Sequence, residues 1–480
     1  MPLELKEIDK ERVGFFRFKQ LNGQYLITND IGDYSFLTPQ EFDLFLSGKI
    51  EQVCPDKYSE LQNKSFIRNR LDFDRFSQKY ASKNMFLGQG PSLHIVVVTL
   101  RCDHRCIYCQ AGSQPLTAKG LDMDIPTAQK VVDAIFESPN PTVTIEFQGG
   151  EPLVNFDTVK FIVEYANKKN KFVKKKLMFT LVSNLTFMNQ ERLEFLIKNN
   201  VGICTSLDGP EIPHNKNRIS RGKNNSYHNA RTWLRIIKKK IQKNKRYKYK
   251  VNALTTVTKS SLSFPEEIIE EFVNLGLEGI HLRPAGPFGI DKKIWKKITF
   301  SEREFVNFYR RALDYIIALN LKGKKFYERT ARILLTKILT DKDPNFLDIR
   351  SPCGAGIGQL AYNYNGDVYT CDEARMLIVA GDESFKLGNV FADDYTKIIS
   401  KDIIKTICVA SCLDGVPGCC ECAYKPYCGV CPIYNYVVLG NIFSTIPHNE
   451  RCKINMQIMD YLFKKMQVPE IKSVLSKWVN

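Results

Sequence analysis

The stretch LHIVVVTLRCDHRCIYC, residues 93–109, decides the fold. A continuous apolar run of strand length, without polar alternation, marks a strand buried on both faces, as parallel sheets require. It runs directly into a loop that carries Cys102, Cys106 and Cys109 in CxxxCxxC spacing. Chemistry in barrel-like α/β folds collects at the C-terminal ends of the strands, and three thiols there form a candidate metal site. Structural zinc takes four ligands, usually from paired C-x2-4-C loops. A three-thiolate loop suits instead an iron–sulfur cluster with one iron left open.

Working outward, five more apolar runs of strand size follow: TVTIEF, KLMFTLVS, VGICTSL, YKVNALTTV and GIHLRP. Helical patterns near 126–137, 157–169, 190–199, 226–243 and 265–274 separate them. Such alternation predicts parallel strands with crossover helices. Six units are too few to close an eight-stranded barrel, so the fold class expected is α/β, a partial (β/α)6 TIM-like barrel over residues 93–300. Residues 301–345 read as a helical bridge, and 346–480 as a loop-rich, metal-dependent module.

Ahead of the barrel, residues 1–92 read as a separate module. Three short alternating runs joined at Asn22-Gly23 and Ile31-Gly32 predict a small antiparallel ribbon. Thr38 and Glu41 form a capping box before a helix that Gly48 stops, and PDKYSELQNKSFI offers a second helix. Ribbon plus short helices suggests a winged-helix-like shape, suited to binding an extended peptide along a strand edge.

Composition narrows the class. The chain has 480 residues, 44% hydrophobic and 25% charged, which excludes disorder and a disulfide miniprotein. No apolar run approaches the roughly 20 residues of a membrane span, so no membrane partner is expected. Fifteen cysteines, an odd number, with no signal-peptide pattern at the start, point to a reducing cytoplasm and to metal binding. The charge of +17 gathers in KKNKFVKKK (168–176) and KKKIQKNKRYKYK (238–250). Few aromatics or arginines interleave there, so solvated surface is the expected reading and nucleic acid is not the expected partner.

The early motif resembles that of the radical S-adenosylmethionine (radical SAM) enzymes. The resemblance extends to Tyr108, the aromatic position that in the family packs on adenine, and to Gly149-Gly150-Glu151-Pro152, which is similar to the family's GGEP. There glycines permit close backbone approach, and a carboxylate can accept from the methionine ammonium of the cofactor. Ser183-Asn184 and Ser206-Leu207-Asp208-Gly209-Pro210 end the third and fourth strands at the same mouth. The resemblance makes Ser183, Asn184 and Ser206 cofactor-binding candidates, and either Arg218 or Arg221 a partner of the cofactor carboxylate. Ser183, Asn184 and Asp208 alternatively cap the helices that follow. His281 and Arg283 end the sixth strand, either facing substrate or finishing the barrel end.

The C-terminal cysteines resemble a SPASM extension. Cys353-x12-Gly366-x4-Cys371 is followed by Cys419-x2-Cys422-x5-Cys428-x2-Cys431 and Cys452, a match that departs from the family by one residue between Cys428 and Cys431. The resemblance implies S-adenosyl-L-methionine and three [4Fe-4S] clusters, one radical SAM and two auxiliary. Cys419, Cys422, Cys428 and Cys452 would hold one auxiliary cluster. Cys353, Cys371 and Cys431 would hold three corners of the other, with Cys412 the candidate fourth ligand, ahead of Cys408 or an open iron. Cys420, Cys54 and Cys204 read as bystanders, the last two as small buried hydrophobes.

SPASM enzymes largely modify peptides. The opening stretch, HLRPAGPFG after the sixth strand and CAYKPYCGVCPIYNY near the end resemble the His-Xaa-Ser-system maturases. That branch implies a precursor peptide with a leader sequence as substrate, a side-chain crosslink of cyclophane type as product, and an electron donor such as flavodoxin or ferredoxin. The alternatives are an anaerobic sulfatase maturase, for which Asp208 is the candidate base, and a zinc- or cluster-bearing nucleic-acid binder.

Overall fold

A computed structural model describes residues 8–222, 224–443 and 449–479. The N-terminal ribbon forms as expected, with β1 (Arg17–Leu21), β2 (Gln24–Thr28) and β3 (Tyr34–Leu37) paired antiparallel in that order. Asn22 and Gly23 both take positive φ, 54° and 76°, the left-handed pair that a two-residue hairpin loop needs. The capping box is present: the Glu41 amide donates to Thr38 Oγ1 at 3.2 Å, and the Thr38 amide donates to Glu41 Oε2 at 2.7 Å. It starts the helix Pro39–Leu46, and Pro55–Asn63 is the second helix. A further amphipathic helix, Phe73–Lys83, closes this region and was not anticipated.

The barrel strands follow: β4 (Leu93–Thr99), β5 (Thr142–Gly149), β6 (Lys176–Ser183), β7 (Val201–Ser206), β8 (Asn252–Val257), β9 (Gly279–Ile280) and β10 (Leu282–Pro284). The order β10-β8-β7-β6-β5-β4 is parallel throughout, with a helix crossing over at each step along the chain. Its apolar face is sealed: Val143, Ile145 and Phe147 of β5 and Phe179 and Leu181 of β6 are buried against the crossover helices. The opposite face is polar and only half-buried, presenting Thr144, Glu146 and Gln148 from β5 and Thr180 from β6. Thr180 and Gln148 both donate to the Glu146 carboxylate, at 2.8 and 2.7 Å. Cys204, expected as a buried hydrophobe, lies half-buried on β7 with Glu146 as an electrostatic neighbour.

Two departures have physical causes. GIHLRP reads as one strand, yet it divides at His281: β10 pairs with β8, while β9 pairs with β11 (Tyr327–Glu328). The buried Glu328 carboxylate accepts the Leu282 amide at 3.1 Å and also caps the helix Arg329–Leu339, so a side chain takes a bond that the sheet would have made. The second departure is at the other edge. β12 (Gln359–Tyr362) adds in parallel to β4, and β13 (Asp367–Tyr369) and β14 (Lys386–Asn389) continue antiparallel. The cysteine-rich region therefore extends the barrel sheet to nine strands.

The ribbon docks on this C-terminal region. Thr28 Oγ1 donates to the Ala423 carbonyl at 2.7 Å, Tyr427 OH to the Gly32 carbonyl at 3.0 Å, and Tyr34 packs edge-on against Phe463. Within the lysine runs, Lys169, Lys240 and Lys250 pair with Asp133, Glu194 and Glu278. Among the described residues no helix is long and apolar enough to cross a membrane.

Candidate functional site

The cysteine loop leaves β4 at a break in the β4–β5 register, between Val97 and Thr99. Its backbone is pinned to the segment that follows the fourth barrel strand: the amides of Arg105 and Ile107 donate to the carbonyls of Ile219 and Asn217 at 2.8 and 2.9 Å, and the Arg221 amide donates to the Asp103 carbonyl at 2.6 Å. Gly149 and Gly150 lie against the same loop. A Cβ on Gly150 would sit 2.4 Å from the Arg101 carbonyl oxygen and 2.6 Å from that of Leu100; one on Gly149, at φ 134°, would sit 2.2 Å from the Thr99 oxygen. The close approach that these glycines permit is therefore to the cysteine loop itself.

Glu151 is buried and accepts from Ser183 Oγ at 2.7 Å and from the amides of Asn184 and Leu153 at 2.8 and 3.0 Å. Burial pushes its carboxyl up to about 7 against the pull of these donors. Asn184 Nδ2 donates to Asp103 Oδ1 at 2.8 Å, next to Cys102. Ser183 and Asn184 thus tie the GGEP turn to the cysteine loop; neither caps the following helix, Gln190–Lys198, whose N-cap is Asn189.

A second group centres on Asp208, which is fully buried. Its carboxylate accepts from Tyr108 OH at 2.6 Å, Asn217 Nδ2 at 3.3 Å and the Thr256 amide at 3.2 Å, and Arg218 Nε lies 3.6 Å away. Burial raises its pKa, and Arg218 opposes the rise. The Arg218 guanidinium stacks over the Tyr108 ring, 5.6 Å from its centroid, and sits 3.7 Å from Cys106 Sγ. Arg221 instead donates to the carbonyls of His104 and Ser113, at 3.2 and 3.4 Å, as a brace for the loop. Ser206 is buried at the end of β7. Sequence reading missed the link between the two groups: His214 Nδ1 accepts the Asp208 amide at 3.2 Å, and Ser226 Oγ bridges His214 and His104 at 3.0 and 2.8 Å. Burial pushes His214 down to about 2, so it stays neutral as that acceptor requires.

All fifteen cysteines are free. The sequence-predicted C-terminal ligands fall into two sets. Burial raises the pKa of Cys371, whose further influences include Glu373, Cys431 and Cys353; Cys353, Cys371 and Cys431 are 1%, 1% and 6% exposed in one core cluster. Cys419 likewise has Cys428, Cys452 and Cys422 as neighbours. Amide-to-sulfur hydrogen bonds at 3.4 Å reach Cys102 from His104, Cys371 from Ala374, Cys422 from Tyr424 and Cys431 from Tyr434. Such bonds stabilise thiolate ligands and tune cluster potential, so the donor sets fit iron–sulfur clusters. Cys412 sits between two residues bonded to the Cys353 segment, the Cys353 amide donating to Ser411 Oγ and the Leu413 amide to Ser351 Oγ, both at 2.9 Å; its sulfur is 4.0 Å from Asp414 Oδ2, and it is a thiol neighbour of Cys408.

A three-thiol loop at the mouth of a parallel sheet, accompanied by one buried and one largely half-buried set of thiols, is the donor arrangement of a cluster-dependent α/β enzyme. The radical SAM superfamily model matches residues 96–243, the segment that begins within β4 and holds the cysteine loop and the next three barrel strands, β5 to β7. It is 22% identical over 342 residues to a cysteine-type anaerobic sulfatase-maturating enzyme of Clostridium novyi, covering 70% of this chain and 86% of that protein. Two solved structures share the fold. Native anSMEcpe with bound AdoMet superposes with TM-score 0.67 at 19% identity, over 80% of this chain and 99% of that one. Streptococcus suis SuiB bound to precursor peptide SuiA gives 0.52 at 14% identity, over 91% and 98%.

Proposed function

We propose that this chain modifies a ribosomally made precursor peptide, installing a side-chain crosslink of cyclophane type. The observation that carries the reading is the open polar face of the barrel sheet, whose strand ends converge on the Cys102–Cys109 loop. When bound there, a [4Fe-4S] cluster and S-adenosyl-L-methionine supply one-electron cleavage of the sulfonium and a 5'-deoxyadenosyl radical that removes a substrate hydrogen. The chain's own part is positioning: Cys102, Cys106 and Cys109 hold the cluster, and the Gly149–Glu151 turn and Asn184 shape the cofactor's place. The two thiol sets from Cys353 to Cys452 hold the auxiliary clusters of a SPASM domain.

The likeness to SuiB and the docked N-terminal ribbon support a peptide with a leader, read by residues 1–92 as a winged-helix-like module. Phe15, just before the ribbon, and Phe18 on β1, 60% and 53% exposed, are its candidate contacts. Flavodoxin or ferredoxin is the donor class proposed. The test is co-expression with a short neighbouring reading frame: loss of two hydrogens from the peptide, abolished by replacing Cys102, Cys106 and Cys109 with Ala, supports the reading. Continued 5'-deoxyadenosine formation by that triple variant would sink it.

A second reading, formylglycine formation, is favoured by the sulfatase-maturating relative. Against it stands the site's candidate base, since the Asp208 carboxylate is buried and already engaged by Tyr108, Asn217 and Thr256. Turnover of a cysteine-bearing sulfatase peptide, with no reaction on the neighbouring precursor, would establish the second reading in place of the first.

A further inference from the structure

Among the described residues of the C-terminal region, one buried carboxylate oxygen is left without a hydrogen bond: Asp348 Oδ1. A buried acceptor with no partner costs about 1–3 kcal/mol, more when charged, so it demands a ligand. Its surroundings say which. Asp348 is an electrostatic neighbour of both Cys353 and Cys431, two of the three thiols in the incomplete set. The approach is built into the backbone, because Gly429, inside the CGVC loop, touches the segment that carries Asp348. A Cβ on Gly429 would lie 2.7 Å from the Asp348 carbonyl oxygen and 2.6 Å from the Arg350 nitrogen.

Glu373 is an electrostatic neighbour of all three thiols, but its Oε1 is held by Arg283 at 2.8 Å; the Cys412 sulfur lies 4.0 Å from Asp414 Oδ2. Arg451 Nη2 lies 3.7 Å from the other carboxylate oxygen, Asp348 Oδ2. Resting on the SPASM reading above, we infer that Asp348 is the fourth ligand of the cluster held by Cys353, Cys371 and Cys431, giving it three sulfur donors and one oxygen donor.

The test uses the full chain with Cys102, Cys106 and Cys109 replaced by Ala, reconstituted anaerobically with iron and sulfide, so that only the auxiliary sites report. This parent should hold about eight irons. Adding Asp348→Ala should remove about one iron and, on mild oxidation, produce the electron paramagnetic resonance signal of a three-iron cluster. Adding Asp348→Cys should restore the four-iron cluster with a shifted reduction potential. Loss of the whole cluster in Asp348→Ala that Asp348→Cys reverses also supports the assignment. It is overturned if Asp348→Ala keeps its iron and shows no three-iron signal, if Cys412→Ala yields that signal instead, or if both Asp348 variants lose the cluster. Zinc in place of iron in the parent would remove the SPASM reading itself, a failure visible before any Asp348 variant is made.

Discussion

Asp208 binds the cofactor mouth together from the inside, and its substitutions separate two effects. Asp208→Ala strips the buried Arg218 of its carboxylate partner, a loss of the kind that costs about 3–5 kcal/mol. Tyr108→Phe removes one hydroxyl donor from the same carboxylate and should cost about 1–3 kcal/mol. Denaturant midpoints of the full chain rank the two, and S-adenosylmethionine cleavage should fall more steeply in Asp208→Ala because Arg218 abuts Cys106. Equal midpoints for both variants would contradict this arrangement. Each of these residues was legible alone, Asp208 as a strand-end polar group and Tyr108 and Arg218 through the family resemblance. Their joining was not, because Tyr108, Asp208 and Arg218 meet only once three separate loops have folded over one mouth. The same holds for His104, Ser226 and His214, whose spacing forms no local pattern.

At the scale of elements, Gly150 couples the second barrel strand to the cysteine loop. Gly150→Ala would drive a methyl into the Leu100 and Arg101 carbonyls, so the loop must shift. We expect a stability loss of at least about 1–3 kcal/mol and selective loss of about four irons from the Cys102–Cys109 site, read by iron analysis. The helix Phe73–Lys83 offers a pH test. Burial, aided by the charges of Lys79 and Lys337, lowers the Lys83 amine to about 8, and its Nζ donates to the Lys337 carbonyl at 2.9 Å. Between about 8 and the ordinary lysine value of 10.5 the unfolded chain binds the extra proton, so stability rises with pH across that window. Lys83→Met should flatten that rise in denaturant midpoints; an unchanged slope would exclude Lys83 as its source. Strands and crossover helices were readable because apolar runs and 3.6-residue periods are local. The hairpin β12–β13 was also signalled, by Asn365-Gly366 between short apolar runs, but cysteine spacing dominated the reading of that region.

For the whole molecule, the docking of residues 17–34 on residues 420–427 and 463 changes what truncation means. The contacts span nearly 400 positions of sequence, Thr28 to Ala423 being 395 apart, and no periodicity announces them. Deleting residues 1–92 should therefore do more than weaken leader binding. It should uncover the Cys419, Cys422 and Cys428 loop and lower retained iron by about four per chain. Phe18→Glu, on the exposed side of β1, should weaken leader binding while iron content stays intact. Retention of all iron by the deleted chain would show the docking to be dispensable.

The pairing of β12 with β4 has a consequence for how the chain is made. β4 is almost wholly apolar, and until Gln359–Tyr362 arrive its outer edge presents a row of unsatisfied amides and carbonyls. Such an edge is a template for joining another chain. On the ribosome the barrel strands emerge first and wait with this edge bare, so the nascent enzyme is most prone to clumping just before its last quarter is translated. Slow synthesis across the helices Glu302–Leu321 and Arg329–Leu339 should lower soluble yield, and a chain stopped at residue 345 should accumulate as aggregate.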